Sequence, residues 1–149
     1  MSLRDQINED MKSAMRAKDS ARLSAIRMLL AAIKQKEVDA RVVLADAEIV
    51  AVVEKQVKQR RESAAQYDAG GRADLAQAER FEIEVLGAYL PPAMDAAELQ
   101  SLVAAAMAEV APKSPSEMGK VIAVLKPKVA GRADMGQVSA LVKAAFGKV

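Results

Sequence analysis

The chain has neither cysteine nor histidine. The first absence removes disulfides, thiolate nucleophiles and every cysteine-ligated zinc or iron–sulfur site. The second removes imidazole, the usual general base near neutral pH, and with it the Ser-His-Asp triad and the histidine-containing metal sets. There is no tryptophan, and two Tyr with two Phe make up 3% of the chain, too few to build the stacking platforms that read single-stranded nucleic acid. No run of 18 apolar residues occurs, so no membrane span is expected. Charged residues between Met1 and Asp10 interrupt the apolar stretch that a secretory signal needs, and a cytoplasmic location is the default expectation.

What is present is helix-forming material. Hydrophobic residues account for 52% of the 149 positions, and 31 of them are Ala, so the core is built from Ala, Val, Leu, Ile and Met, a mixture suited to helix against helix. Apolar residues recur at helical spacing almost throughout, and no stretch sustains strict alternation, which predicts an all-α protein. Ser2 with Asp5 resembles a capping box, followed by the stripe Leu3, Ile7, Met11 and Ala14. A second helix is expected from Asp19 to Glu37 with Leu23, Ile26, Leu29, Leu30 and Ile33 as its core face, then an irregular stretch from Asp39 to Leu44. A long third helix runs from Asp46 through Val53, Val57, Ala64 and Tyr67 to the Gly70-Gly71 pair, which stops it. A fourth starts near Asp74 with Ala78, Phe81, Val85 and Tyr89 as one stripe, widened by Ile83 and Leu86, and ends at Leu90-Pro91-Pro92.

The proline pair marks the expected domain boundary. Residues 1–90 are predicted to form an N-terminal bundle of about four helices, and residues 91–149 a small three-helix domain. Asp95 with Glu98 caps the first of those three, and Ser114-Pro115-Ser116-Glu117 opens the second. Met118, Val121, Ile122 and Leu125 form that helix's core face, and Pro127 terminates it. Gly131-Arg132-Ala133-Asp134 turns the chain into a last helix burying Met135, Val138, Leu141, Val142 and Ala145.

That turn repeats an earlier one, Gly71-Arg72-Ala73-Asp74. The plainer reading is helix punctuation, with Gly ending one helix and Asp capping the next; the functional reading is an Arg beside a helix N-terminus, where backbone N–H groups and the dipole favour an anion. Net charge is only +2, yet its distribution is uneven. Lys12, Arg16, Lys18, Arg22, Arg27, Lys34 and Lys36 face a single acid, Asp19; Lys113, Lys120, Lys126, Lys128, Arg132, Lys143 and Lys148 face only Glu117 and Asp134. Glu37 to Glu54 is acidic, and Lys55, Lys58, Arg60 and Arg61 form a third basic group. Such runs are commonly solvated helix faces, but two clusters in a nearly neutral chain point to an extended polyanion as partner.

No catalytic site is visible. Gly119-Lys120 is followed by Val121 inside a helix, so no phosphate cradle for nucleotide hydrolysis exists. Glu79, Glu82 and Glu84 do not share one face, and Arg80 lies among them, which favours a surface role over a metal cage. No Gly-x-Ser-x-Gly elbow occurs. Neither a metal nor a cofactor is called for.

Two long motifs carry a family resemblance. Lys58-Gln59-Arg60-Arg61-Glu62-Ser63 through Tyr67, Gly70-Gly71-Arg72-Ala73-Asp74-Leu75, Glu82-Ile83-Glu84-Val85-Leu86 and Tyr89-Leu90-Pro91 form the first. Met118-Gly119-Lys120-Val121, Pro127-Lys128-Val129 and Gly131-Arg132-Ala133-Asp134 form the second. Together they resemble the GatB/YqeY family over essentially the whole chain. The long members of that family are subunits of the glutamine-dependent amidotransferase that acts on misacylated tRNA, in which a catalytic domain precedes a helical tail similar to this chain; a similar region precedes the core of eukaryotic glutaminyl-tRNA synthetases. The resemblance brings the label of a carbon–nitrogen ligase with glutamine as amide donor, while the residues here match only the accessory, tRNA-contacting tail. It implies tRNA, or a tRNA-handling enzyme, as partner. The contact candidates are Lys120, Lys126, Lys128, Arg132 and Lys143, with Arg60, Arg61 and Arg72 in the first domain. The rival reading is a protein–protein adaptor using Met11, Met15, Met28, Met94, Met107, Met118 and Met135 as adaptable contacts.

Overall fold

The helix starts follow from side-chain caps. The Ser2 hydroxyl accepts the Asp5 N–H at 3.1 Å, and α1 runs Leu3–Arg16. Asp19 accepts the Arg22 N–H at 3.2 Å and opens α2, Ser20–Ala40. Ala45 has no capping side chain, so the start of α3, Asp46–Ala69, is held instead by the Glu48 carboxylate, which accepts the Ala45 N–H at 3.2 Å. α4 spans Ala73–Gly87. Asp95 accepts the Glu98 N–H at 2.7 Å before α5, Ala96–Val110. A 3-10 turn, Pro115–Glu117, leads into α6, Met118–Val129, and α7 covers Met135–Phe146. The computed structural model describes residues 1–147, and among them there is no strand. Lys148, counted above in the second basic cluster, lies outside the described residues.

The residues cluster into two compact units, Met1–Leu90 and Pro91–Val149. The first has a core of Ile7, Ile26, Leu29, Ile33, Leu44, Ile49, Val53, Val57, Leu86 and Tyr89. Each large apolar side chain taken fully from water contributes about 1.5 to 3 kcal/mol, and this ladder of Ile, Leu and Val holds α1 to α4 together. The second unit packs α5, α6 and α7 around Leu99, Val103, Ala106, Val121, Leu125, Val129, Val138 and Val142.

Three expectations are corrected. α2 does not end at Glu37 but runs to Ala40, because Arg41 takes the left-handed cap conformation (φ 55°) that closes the helix. Pro127 does not terminate α6. It lies in the last turn, where both it and Ala123, whose carbonyl loses a partner, are exposed to water, while the fully buried Val129 anchors the turn beyond it. On α4 the inward face is Ala76, Ile83, Leu86 and then Tyr89, with Val85 of the expected stripe also packed against the core, whereas Ala78 and Phe81 are exposed. The helix is rotated from the expected stripe so that Ala76, Ile83 and Leu86 pack inward, and Glu82 on that side meets a buried cation.

Polar locks close the first unit. The Glu37 carboxylate accepts the Leu44 N–H at 2.8 Å and an Arg4 N–H at 2.5 Å, tying the α2–α3 loop to α1. The Tyr89 hydroxyl donates to Asp10 at 2.6 Å, and burial first, then that carboxylate, pushes its pKa upward. The Leu44 N–H foremost, and Arg4 after it, hold the Glu37 carboxyl below the usual glutamate range. A depressed acid stabilises the fold above its unfolded pKa and loses that contribution as pH falls through the folded one. Glu37→Gln is therefore expected to lower the unfolding temperature at pH 7, with the gap to the native chain closing as pH drops below the glutamate range. Thermal unfolding at pH 7 and pH 3 checks this; an equal gap at both pH values contradicts it.

Candidate nucleic-acid interface

The eight basic candidates separate by what their charges touch. Arg60 is the only polar or charged side chain buried among the described residues. Its Nε donates to Glu82 at 2.8 Å, its Nη1 to Gln56 at 2.8 Å, and its Nη2 faces the Met28 sulfur at 3.9 Å. A guanidinium with its donors directed inward offers nothing to an external phosphate, so Arg60 leaves the candidate set and Glu82 is an ion-pair partner rather than a surface acid. The spacing Val53, Val57, Arg60, Ala64 was the available signal, since it places Arg60 on the core stripe of α3. Arg61, the next residue, is exposed.

The two Gly-Arg-Ala-Asp turns share a backbone and differ in chemistry. Gly71 and Gly131 both sit at φ +73°, a conformation that favours glycine. After the first, Arg72 pairs with Asp74 at 3.3 Å on the surface, and Asp74 lies inside α4 instead of capping it. After the second, Arg132 makes a bidentate contact to Glu98 (3.0 and 3.2 Å) and donates to the Pro92 carbonyl at 3.0 Å, while its own carbonyl accepts the Met94 N–H at 2.9 Å. Arg132 thus fastens the segment before α5 to the α6–α7 turn. Arg132→Ala is expected to cost the second unit about 1 kcal/mol and to speed exchange of the Met94 amide; an unchanged Met94 exchange rate contradicts the fastening role.

The remaining lysines lie on α6 and α7. At about 100° per residue, Lys126 and Lys128 stand about 160° apart around α6, on opposite flanks of its core face. Lys128 lies 4.0 Å from Glu109 of α5 and so marks the α5 side; Lys126 falls on the other flank. On α7, Leu141, Ala144 and Ala145 line a groove with Gln100, Val103, Ala104 and Met107 of α5, and Lys143 lies on the face of α7 away from that groove. The α5–α6 seam carries Lys128 with Glu109 and the α5–α7 seam is an apolar groove of about 530 Å³, while Lys126 and Lys143 lie on the faces of α6 and α7 turned away from those two contacts. Both of the latter are exposed and meet no acid among the described residues. Lys120 is exposed but lies 3.3 Å from Glu117, whose carboxyl is held low chiefly by the Lys113 backbone N–H and then by Lys120.

Of the methionines, Met1, Met15 and Met28 are exposed, while Met11, Met94, Met107, Met118 and Met135 pack against the two cores. Among the described residues no group of acids is arranged to hold a metal ion, and no helix is long and apolar enough to cross a membrane.

Comparison with known proteins gives a family. The Yqey-like protein family model matches residues 4–146. Among similar proteins, "Altered inheritance of mitochondria protein 41, mitochondrial" of Eremothecium gossypii is 40% identical over 101 residues, covering 67% of this chain and 55% of its own length. The protein of the same name from Lachancea thermotolerans is 34% identical over 113 residues, 74% of this chain and 60% of its own. That from Pyrenophora tritici-repentis is 27% identical over 130 residues, 86% and 71%. The chain thus spans little more than half the length of the first two. These names place the relatives in mitochondria and overturn the default cytoplasmic expectation, which rested only on the lack of a secretory signal, a feature that does not distinguish cytosol from organelle.

Proposed function

The chain belongs to the Yqey-like protein family, and from that premise we propose that it is an accessory tRNA-contacting module whose gripping surface is carried by Lys126 of α6 and Lys143 of α7 in its second unit. The observation that carries this reading is the sorting of charge: Lys126 and Lys143 are exposed and have no acidic partner among the described residues, while Arg60, Arg72 and Arg132 pair with internal or neighbouring carboxylates. Exposed ammonium groups without protein partners bind phosphate by releasing its counterions, a contact that asks for no particular base and no aromatic platform. The relation to tRNA-dependent amidotransferases enters here as ancestry of the tail, with no amide-forming step assigned to any residue of this chain. The mitochondrial names of the relatives make mitochondrial tRNA the first substrate to try.

Labelled bulk tRNA, titrated with the purified chain across a salt series and competed with duplex DNA, tests the reading. Affinity that falls steeply with salt and prefers tRNA is expected; no binding even at low salt overturns it. A second reading, the protein–protein adaptor, is favoured by the apolar α5–α7 groove, lined by Val103, Ala104, Met107, Leu141, Ala144 and Ala145. A pull-down after nuclease digestion separates the two: partners that survive digestion support the adaptor, and partners that all vanish support tRNA.

A further inference from the structure

With no cysteine in the chain, the sulfur redox chemistry available to it falls on eight methionines. Two of them, Met15 and Met28, are equally exposed, at 48%. Their surroundings differ. The Met28 sulfur, on α2, lies 3.9 Å from Nη2 of Arg60, the buried guanidinium of α3 whose other donors are taken by Glu82 and Gln56. A thioether is a weak acceptor, so that third corner of the guanidinium is the poorest satisfied point of the cluster. Met15, in the last turn of α1, has no such partner among the described residues.

We propose that Met28 is a site of reversible oxidation whose sulfoxide is received by Arg60. A hydroperoxide delivers one oxygen to the sulfur of this exposed side chain: its O–O bond breaks, an S–O bond forms, the thioether loses two electrons, and the peroxide leaves as water or an alcohol. Rotation of the terminal Met28 bonds turns the new oxygen toward Nη2, where it is a strong acceptor for a cationic donor. Oxidation ordinarily disrupts packing by making an apolar side chain polar. At Met28 the effect has the opposite sign, because the polar atom is created against an underused buried donor and its other side faces solvent. The α2–α3 contact is tightened, and a sulfoxide reductase must first withdraw the oxygen from Arg60 before it can restore the thioether.

The experiment oxidises the full chain with hydrogen peroxide and reads occupancy at each methionine by peptide mass spectrometry, alongside thermal unfolding of the native sequence, Met28→Leu and Met15→Leu. Each protein is referred to its own untreated form, and oxidation away from Met28 is common to the native chain and Met28→Leu, so the difference between their shifts on treatment isolates this site. The shift in unfolding temperature on treatment is expected to lie about 3 °C or more higher for the native chain and Met15→Leu than for Met28→Leu, and the sulfoxide at Met28 to be reduced several-fold more slowly than that at Met15. Met28→Gln, which supplies a carbonyl acceptor without oxidant, is expected to match or exceed the native unfolding temperature, while Met15→Gln leaves it unchanged. Equal reduction rates at the two sulfoxides, or a shift on treatment no higher for the native chain than for Met28→Leu, overturns the proposal.

Discussion

Glu82→Ala is expected to destabilise the first unit by about 3 kcal/mol, the cost of leaving a buried ionic partner uncompensated. The two ends of the pair are not equivalent: the Arg60 side chain is 8% exposed and that of Glu82 24%. Removing the glutamate strands a guanidinium in the core with only Gln56 and the Met28 sulfur near it. Removing the arginine leaves a carboxylate that reaches water. Arg60→Met, which keeps apolar bulk and carries no charge, is therefore expected to cost less than Glu82→Ala, and Arg60→Met combined with Glu82→Leu to recover most of the loss. Against a total stability of about 5 to 15 kcal/mol for an ordinary domain, the single change is large. Urea unfolding followed by circular dichroism measures it; a loss below about 0.5 kcal/mol for Glu82→Ala, the range of a surface pair, would show that Arg60 is solvated.

The second large effect concerns binding. Lys126→Glu with Lys143→Glu is expected to weaken tRNA binding about tenfold or more, since each reversal deletes a counterion-releasing contact and sets a like charge against phosphate. The slope of log affinity against log salt is expected to flatten by about one for each lysine lost. Neither side chain contributes to the core, so unfolding is expected to be unchanged. Lys128→Glu, on the α5 side beside Glu109, serves as the matched control with the smaller effect. Equal losses for the control and the pair contradict the assignment to Lys126 and Lys143 and point to a diffuse electrostatic attraction.

The all-α class and most helix starts were legible in the sequence because local signals set them: Ser2, Asp19 and Asp95 cap by reaching their own next turn. The Gly70-Gly71 stop was readable for the same reason, since Gly71 takes a positive φ. What depended on packing across helices was not. Two apolar arcs at helical spacing compete on α4, and the one that faces inward, with Ala76, Ile83 and Leu86, is set by packing against the rest of the unit, where Glu82 also meets Arg60 22 positions away. Pro127 reads as a stop until Val129 is seen to be buried beyond it. The interface shows the same divide. Sequence counted the positive charges correctly but not their partners: Arg132 is held by Glu98, 34 positions away, and Arg60 is buried by tertiary contact. Sorting the five candidates in the second unit required knowing that Lys128 faces Glu109 and that Leu141 faces α5.

Lysine footprinting reaches the central claim most directly. The chain is acetylated briefly at low reagent with and without tRNA, and modification at each lysine is read by peptide mass spectrometry. Protection concentrated at Lys126 and Lys143, with Lys120 and Lys128 little changed, is the predicted result. A tRNA that binds while leaving Lys126 and Lys143 fully reactive, or that protects Lys55 and Lys58 of α3 in their place, would contradict the gripping surface assigned to α6 and α7.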